Sequence, residues 1–309
     1  MLPTVEPLGE GLDHSAYLLN GELVVRFRRS PAEADQVAAE GRLLAFVSGI
    51  SPVPVPRPVF VDAGCMAYPR LPGVPLISAG AAPASVGSRL GELLAVLHAV
   101  RPEQVAGFAE VDDTPPAEWL AEAVELWPSV AEHVPAAYRP AVETFLAAQP
   151  PAAAVTLVFS HQDLGIEHVL ADPVTGAVTG VIDWSDAAVG DPARDFGLIL
   201  RDLGPAALTA ALHSTTRPRR GGEVSPRGGD VPPRGGGVLS RADDVPSRGG
   251  EVPSRGGDVP SAGGDAGLVR RAEFYARCGL IADLAYGVAS GRAEYTTKSL
   301  TGLAWIFTH

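Results

Sequence analysis

The chain is poor in the residues that would mark most alternative classes. It has two cysteines in 309 residues, Cys65 and Cys278. They are far apart and show no metal-ligand spacing, which argues against a disulfide scaffold and a zinc site. Two reduced thiols are expected, as in a cytoplasmic protein. No apolar run approaches the ~20 residues of a membrane span. The start, MLPTVEPLGE, has no basic stretch followed by an apolar one, so no signal peptide is expected. Positive charge is also scarce. Lys and Arg total 24 against 36 Asp and Glu, a formal net charge of −12. Such a surface repels the backbone phosphates of nucleic acid, although one local phosphate site remains compatible with it. The hydrophobic content, 46%, is that of a globular chain, and the length allows one large domain or two lobes.

Residues 1–75 read as β-rich with one helix. Two short apolar runs flank Asn20-Gly21, a strong hairpin signal. Ser30 is placed to cap a helix with Pro31 at its first position, running to a terminal Gly49. The Pro/Val series from Ser51 must be extended. CMAYPRLPGVPL reads as a strand leaving into a connector. From about residue 84 the spacing turns helical, through PAEWLAEAVELWPSVAEHV and AAYRPAVETFLAAQ. The segment 267–309 is helical again.

Between these helical regions Arg-Gly-Gly recurs at 220, 227, 234, 248 and 255. Gly and Pro in every seven-residue unit exclude helix, and one Val per unit cannot build a core. Residues 214–266 are therefore expected to be a disordered insertion. From 213 to 265 there are eight Arg and seven acids, 8 − 7 = +1. With no aromatic residue to stack on a base, the repeat is a poor RNA ligand.

The chemistry concentrates in FSHQDLGIEHVL, Phe159 to Leu170. An apolar strand from Val155 to Phe159 leads into His161, Asp163 and His168. Twenty residues after Asp163, TGVIDWSD places Asp183 between apolar neighbours. Val-Thr-Gly between the two stretches reads as a hairpin, which would bring 163, 168 and 183 to one end. Phosphoryl transfer needs such a set: one carboxylate to orient the attacking hydroxyl, and further ligands for a metal on the nucleotide phosphates.

These motifs resemble the aminoglycoside phosphotransferase family, the small-molecule branch of the protein-kinase-like fold, and His168 is shared with its macrolide-phosphorylating members. The matching stretches are His161–Leu170, Ile182-Asp183-Trp184 and Gly190-Asp191-Pro192-Ala193-Arg194-Asp195. The resemblance implies a bilobal α+β fold, with a nucleotide-binding N-lobe at 1–72 and a catalytic, substrate-binding C-lobe at 73–309. It implies Asp163 as catalytic base and Asp183 as Mg²⁺ ligand, with His168 in the place of the family's Asn. His161, Asp191 and Asp195 would support the site. Arg26 stands where the family has a phosphate-gripping Lys, with Glu40 as its best-matched partner. The backbone of Ala67, Tyr68 and Arg70 would hold the base of ATP or GTP. The activity implied is transfer of a γ-phosphate to a hydroxyl of a small molecule such as an antibiotic. No nucleic-acid, membrane or obligate protein partner is expected. Arg26 and His168 leave a non-catalytic nucleotide-binding protein as the rival reading, with RNA association through the repeat behind it. Glu273, Asp283 and Glu294 are read as a solvated face rather than an amine-binding wall.

Overall fold

The computed structural model describes residues 3–10, 14–28, 34–62, 64–79, 82–216 and 267–307. An antiparallel sheet fills the N-terminal part. Its strands are β1 (Val5–Glu10), β2 (His14–Leu19), β3 (Leu23–Arg28), β4 (Phe60–Asp62) and β5 (Cys65–Pro69), in the order β1-β2-β3-β5-β4. Asn20 and Gly21 turn the β2–β3 hairpin with φ of 54° and 74°, the left-handed pair that matches strand twist. Helix α1 (Ala34–Ile50) packs beside this sheet. The expected cap at Ser30 and Pro31 lies outside the described residues. The helix runs one residue past Gly49. Its stop is set by Pro52, Pro54 and Pro56, whose rings cannot continue a helix.

The rest is mainly helical: α2 (Pro83–Leu97), α3 (Pro116–Val130), α4 (Arg139–Leu146), α5 (Ala193–Leu203), α6 (Pro205–Thr216), α7 (Leu268–Ser290) and α8 (Ala293–Ile306). Two small sheets interrupt it, β7 (Val158–Ser160) with β10 (Ala188–Gly190), and β6 (Val74–Pro75) with β8 (Val169–Ala171) and β9 (Val178–Val181). The α+β expectation holds. Trp184, Phe159, Phe196, Leu44 and Leu93 are among the large side chains that close the core. No described helix is long and apolar enough to cross a membrane.

Three boundaries differ from the sequence reading. Strand β7 begins at Val158, where Gly190 first offers a partner; Val155 has none and is fully exposed. Helix α3 ends at Val130, before the expected Val134. Residues 214–216 are not part of a disordered insertion, because α6 continues through them. Ser214 is buried, its hydroxyl 2.8 Å from that of Ser88. Residues 217–266 lie outside the described part.

Helices α2 and α6 touch at backbone distance. A Cβ on Gly87 would sit 2.2 Å from the Ala207 carbonyl oxygen, and one on Gly91 2.3 Å from that of Ala211. Only glycine fits this seam. Gly91→Ala should cost about 1–3 kcal/mol of overpacking, read as a fall in melting temperature at about 2–4 °C per kcal/mol. Gly107→Ala, where a Cβ meets nothing within 4 Å, is the control and should melt as wild type.

Candidate active site

The site is built on two short hairpin-like pairings. Strand β7 delivers the loop 161–168, and its partner β10 follows Asp183 by a few residues. Strands β8 and β9 pair antiparallel, joined by a turn in which Asp172 Oδ1 accepts the Val174 and Thr175 amides at 2.9 and 2.8 Å. This is an Asx turn, and Gly176 supplies its positive φ of 69°. The Ile182 amide then donates to the His168 carbonyl at 2.9 Å. The hairpin thus sets His168 and Asp183 side by side, as the spacing predicts.

Asp163, His168 and Asp183 form a charged row. His168 Nδ1 lies 2.9 Å from the Asp163 carbonyl and 3.1 Å from its Oδ2; Nε2 lies 3.7 Å from Asp183 Oδ2. Burial disfavours a charge on either Asp163 or His168, but their mutual hydrogen bond and charge outweigh it. Asp163 is held well below the usual carboxylate range, and His168 is raised to about 10. On the far side Arg26 reaches over from β3. Its Nη1 binds Glu40 Oε1 of α1 at 2.7 Å, and its Nη2 binds Asp183 Oδ1 at 3.3 Å. Burial works against that guanidinium, yet the two carboxylates keep it charged. Gln162 and Asp183 both adopt positive φ, 68° and 59°. Non-glycine residues hold that conformation at a cost, and such outliers gather at functional sites.

The supporting residues are buried. His161 donates its backbone amide to Asp195 Oδ2 at 3.0 Å. Its Nε2 is 3.1 Å from the Ile182 carbonyl, and its Nδ1 accepts the Asp163 amide at 3.3 Å. Burial lowers its pKa, so the ring is a neutral brace between the two segments. Asp191 Oδ1 accepts the Ala193 amide at 2.9 Å at the start of α5. Its Oδ2 accepts Arg271 Nε at 2.8 Å and the Tyr275 hydroxyl at 3.2 Å.

At the expected base-binding segment, Ala67 and Tyr68 are buried on β5. The Ala67 carbonyl already accepts the Val59 amide at 2.8 Å, and the Arg70 amide donates to the Glu22 carbonyl at 2.7 Å. The sheet therefore occupies two of the backbone groups assigned there to a nucleotide. Of the three late acids, Glu273 and Glu294 are exposed, but Asp283 is not on a solvated face. It lies 3.0 Å from Arg201 and 2.8 Å from Lys298. Arg194 was not singled out by the sequence. It pairs with Asp112, stacks 4.3 Å over the Trp119 ring, and lies 3.5 Å from the Gln162 carbonyl. Its partners are up to 82 residues away, so no local spacing announces it.

Among the described residues no three His, Cys, Asp or Glu side chains form a metal cage. Two groups facing each other across 3.7 Å, His168 Nε2 and Asp183 Oδ2, fit Mg²⁺ when the His168 ring is neutral. That ion usually takes one or two protein ligands and completes its shell with phosphate oxygens and water.

The model of the phosphotransferase enzyme family matches residues 4–222. The chain belongs to this family. It is 28% identical over 222 residues to viomycin phosphotransferase of Streptomyces vinaceus, covering 66% of this chain and 75% of that relative. The GDP complex of wild-type aminoglycoside 2'-phosphotransferase-IIIa superimposes with a TM-score of 0.63 at 19% identity, over 98% of this chain and 92% of that one. Macrolide 2'-phosphotransferase MphH from Brachybacterium faecium gives 0.55 at 25% identity, over 97% and 91%. The protein is thus a phosphotransferase with a kinase-like fold.

Beneath the loop of this phosphotransferase, His98 Nε2 lies 3.1 Å from the Ser160 hydroxyl, and the ring meets Phe196 edge-on. Burial lowers its pKa to about 4. Between that value and the unfolded ~6.5 the unfolded chain binds the extra proton, so stability is full above 6.5 and falls as pH drops toward 4. Melting temperature should fall over this range by more in wild type than in His98→Gln. Parallel curves for the two proteins would refute the assignment.

Proposed function

We propose that this phosphotransferase moves the γ-phosphoryl group of ATP or GTP to a hydroxyl of a small antibiotic such as an aminoglycoside or a macrolide. Residues 1–72 act as the nucleotide-binding lobe and 73–309 as the catalytic, substrate-binding lobe. The supporting observation is the row Asp163–His168–Asp183 with Arg26 against its end. The antibiotic acceptor is supported by the family and by the activities in the names of the viomycin and macrolide relatives. A nucleotide co-substrate is supported by the GDP-bound neighbour, and its supply fits a cytoplasmic enzyme.

In this reading the acceptor oxygen attacks the γ-phosphorus. The new O–P bond forms as the bond to the β,γ-bridging oxygen breaks, and the hydroxyl proton passes to Asp163. A carboxylate held this far below its usual range is a weak base. Its larger contribution is to orient the hydroxyl, with the proton arriving late, as a loose transition state allows. Arg26, held by Glu40 and Asp183, brings its guanidinium charge to the site for the phosphate oxygens. His168 Nε2 and Asp183 would hold Mg²⁺, which when bound neutralises charge on the phosphates. Holding Mg²⁺ would require His168 to give up the Nε2 proton that its carboxylate neighbours favour, with Nδ1–H kept on the Asp163 carbonyl.

Asp163→Asn should lower turnover about 10²-fold or more while leaving nucleotide affinity near wild type. The check is steady-state phosphate transfer across a panel of aminoglycosides, macrolides and peptide antibiotics, beside nucleotide titration; near-normal turnover would sink the proposal. His168→Ala should raise the Mg²⁺ concentration needed for half-maximal nucleotide binding. His168→Asn should recover much of it, because an amide oxygen suits a hard cation. Identical Mg²⁺ curves in all three proteins would remove His168 from the metal site.

A further inference from the structure

The chain holds 24 Lys and Arg, and one of them alone is lysine, Lys298. It sits on α8, far in sequence from every motif of the site, and it is buried. Its Nζ lies 2.6 Å from Glu167 Oε2, 2.8 Å from Asp283 Oδ2 and 3.6 Å from Asp202 Oδ2. The Tyr295 ring closes the fourth side at 4.7 Å. Arg201 knits the same acids from behind. It holds Asp202 through two hydrogen bonds of 2.7 and 2.9 Å and Asp283 at 3.0 Å. Asp202 Oδ2 in turn accepts the Ile166 amide at 3.1 Å. Three carboxylates thus share two cations, with four elements meeting around one ammonium.

The loop side of this cluster is Glu167, the residue before His168. Its carboxylate folds back over Gly165, where a Cβ would lie 2.6 Å from Oε1. The His168 amide closes the turn by donating to the Gly165 carbonyl at 3.0 Å. Glycine at 165 is therefore what lets Glu167 reach inward to Lys298. A compact ammonium with three donors suits three carboxylates converging on one point, whereas a planar guanidinium fork does not.

We propose that Lys298 is a positioning residue of the transfer site. Its ion pair with Glu167 anchors the turn 165–168 to α8 and so fixes the His168 ring between Asp163 and Asp183. The importance of His168 rests on the proposed function; the anchoring itself does not.

The test reads the ring directly. In protein labelled with ¹⁵N-histidine, the His168 ring signals are those missing from His168→Asn. The charge-balanced variant Glu167→Gln/Lys298→Met removes the anchor without leaving an extra buried carboxylate unpaired, so it should fold. It is expected to displace the His168 ring signals while those of His98 stay in place. Lys298→Arg should displace them too. Transfer activity should fall roughly 10- to 100-fold, the scale of removing a supporting partner, at a temperature well below melting. Wild-type His168 signals in the charge-balanced variant would overturn the proposal. If wild type phosphorylates no acceptor, the functional reading fails, and the ring signals still decide the anchor.

Discussion

Buried charge must be matched, and in this molecule that requirement fixes the site. Asp183 is where the matching converges. Arg26 reaches it from the β-sheet and His168 from the loop, each within 3.3–3.7 Å. Asp163 is ionised in its part-buried place because His168 stands against it. Glu40 holds Arg26 from α1. Taking away any one of these charges would leave its partner desolvated and unpaired, which costs far more than the pair is worth by itself. The sheet and the helical region are thus tied together through Arg26 and Asp183.

A second layer of matched charge lies behind the first. Asp191 takes Arg271 and the first turn of α5, and Asp195 takes the His161 amide. Arg201 and Lys298 gather Asp202, Asp283 and Glu167. These groups are largely buried. Their common effect is to fix the backbone from 161 to 168, including the strained Gln162 at φ 68°, so that the outward-facing side chains need little reorganisation. Precise placement of this kind is where enzymes gain much of their rate.

Much of this was written locally. The Asn20-Gly21 hairpin, the helix on α2 and the hairpin that pairs His168 with Asp183 follow from short-range rules of turn geometry and periodicity. Asp163, His168 and Asp183 lie within 21 positions, so their spacing and apolar flanks foretold their meeting. Arg26 and Glu40, only 14 residues apart, were matched as a pair through the family resemblance, on a strand and a helix that the sequence shows.

Other features depend on which distant surfaces meet. Asp283 looked like one of several solvent-facing acids, because helical spacing shows a polar position but not the cation opposite it. Lys298 and Glu167 are 131 residues apart, and nothing near either names the other. Gly87 and Gly91 are ordinary helix interruptions until α6 is seen at backbone contact. Strand β7 starts at Val158 because pairing, rather than the apolar run, sets where a strand begins. The sequence by itself determined the class of fold and the meeting of Asp163, His168 and Asp183, since both rest on contacts between near neighbours. Tertiary structure alone decided which buried charges pair, because that energy depends on through-space distance and desolvation, which sequence separation does not carry.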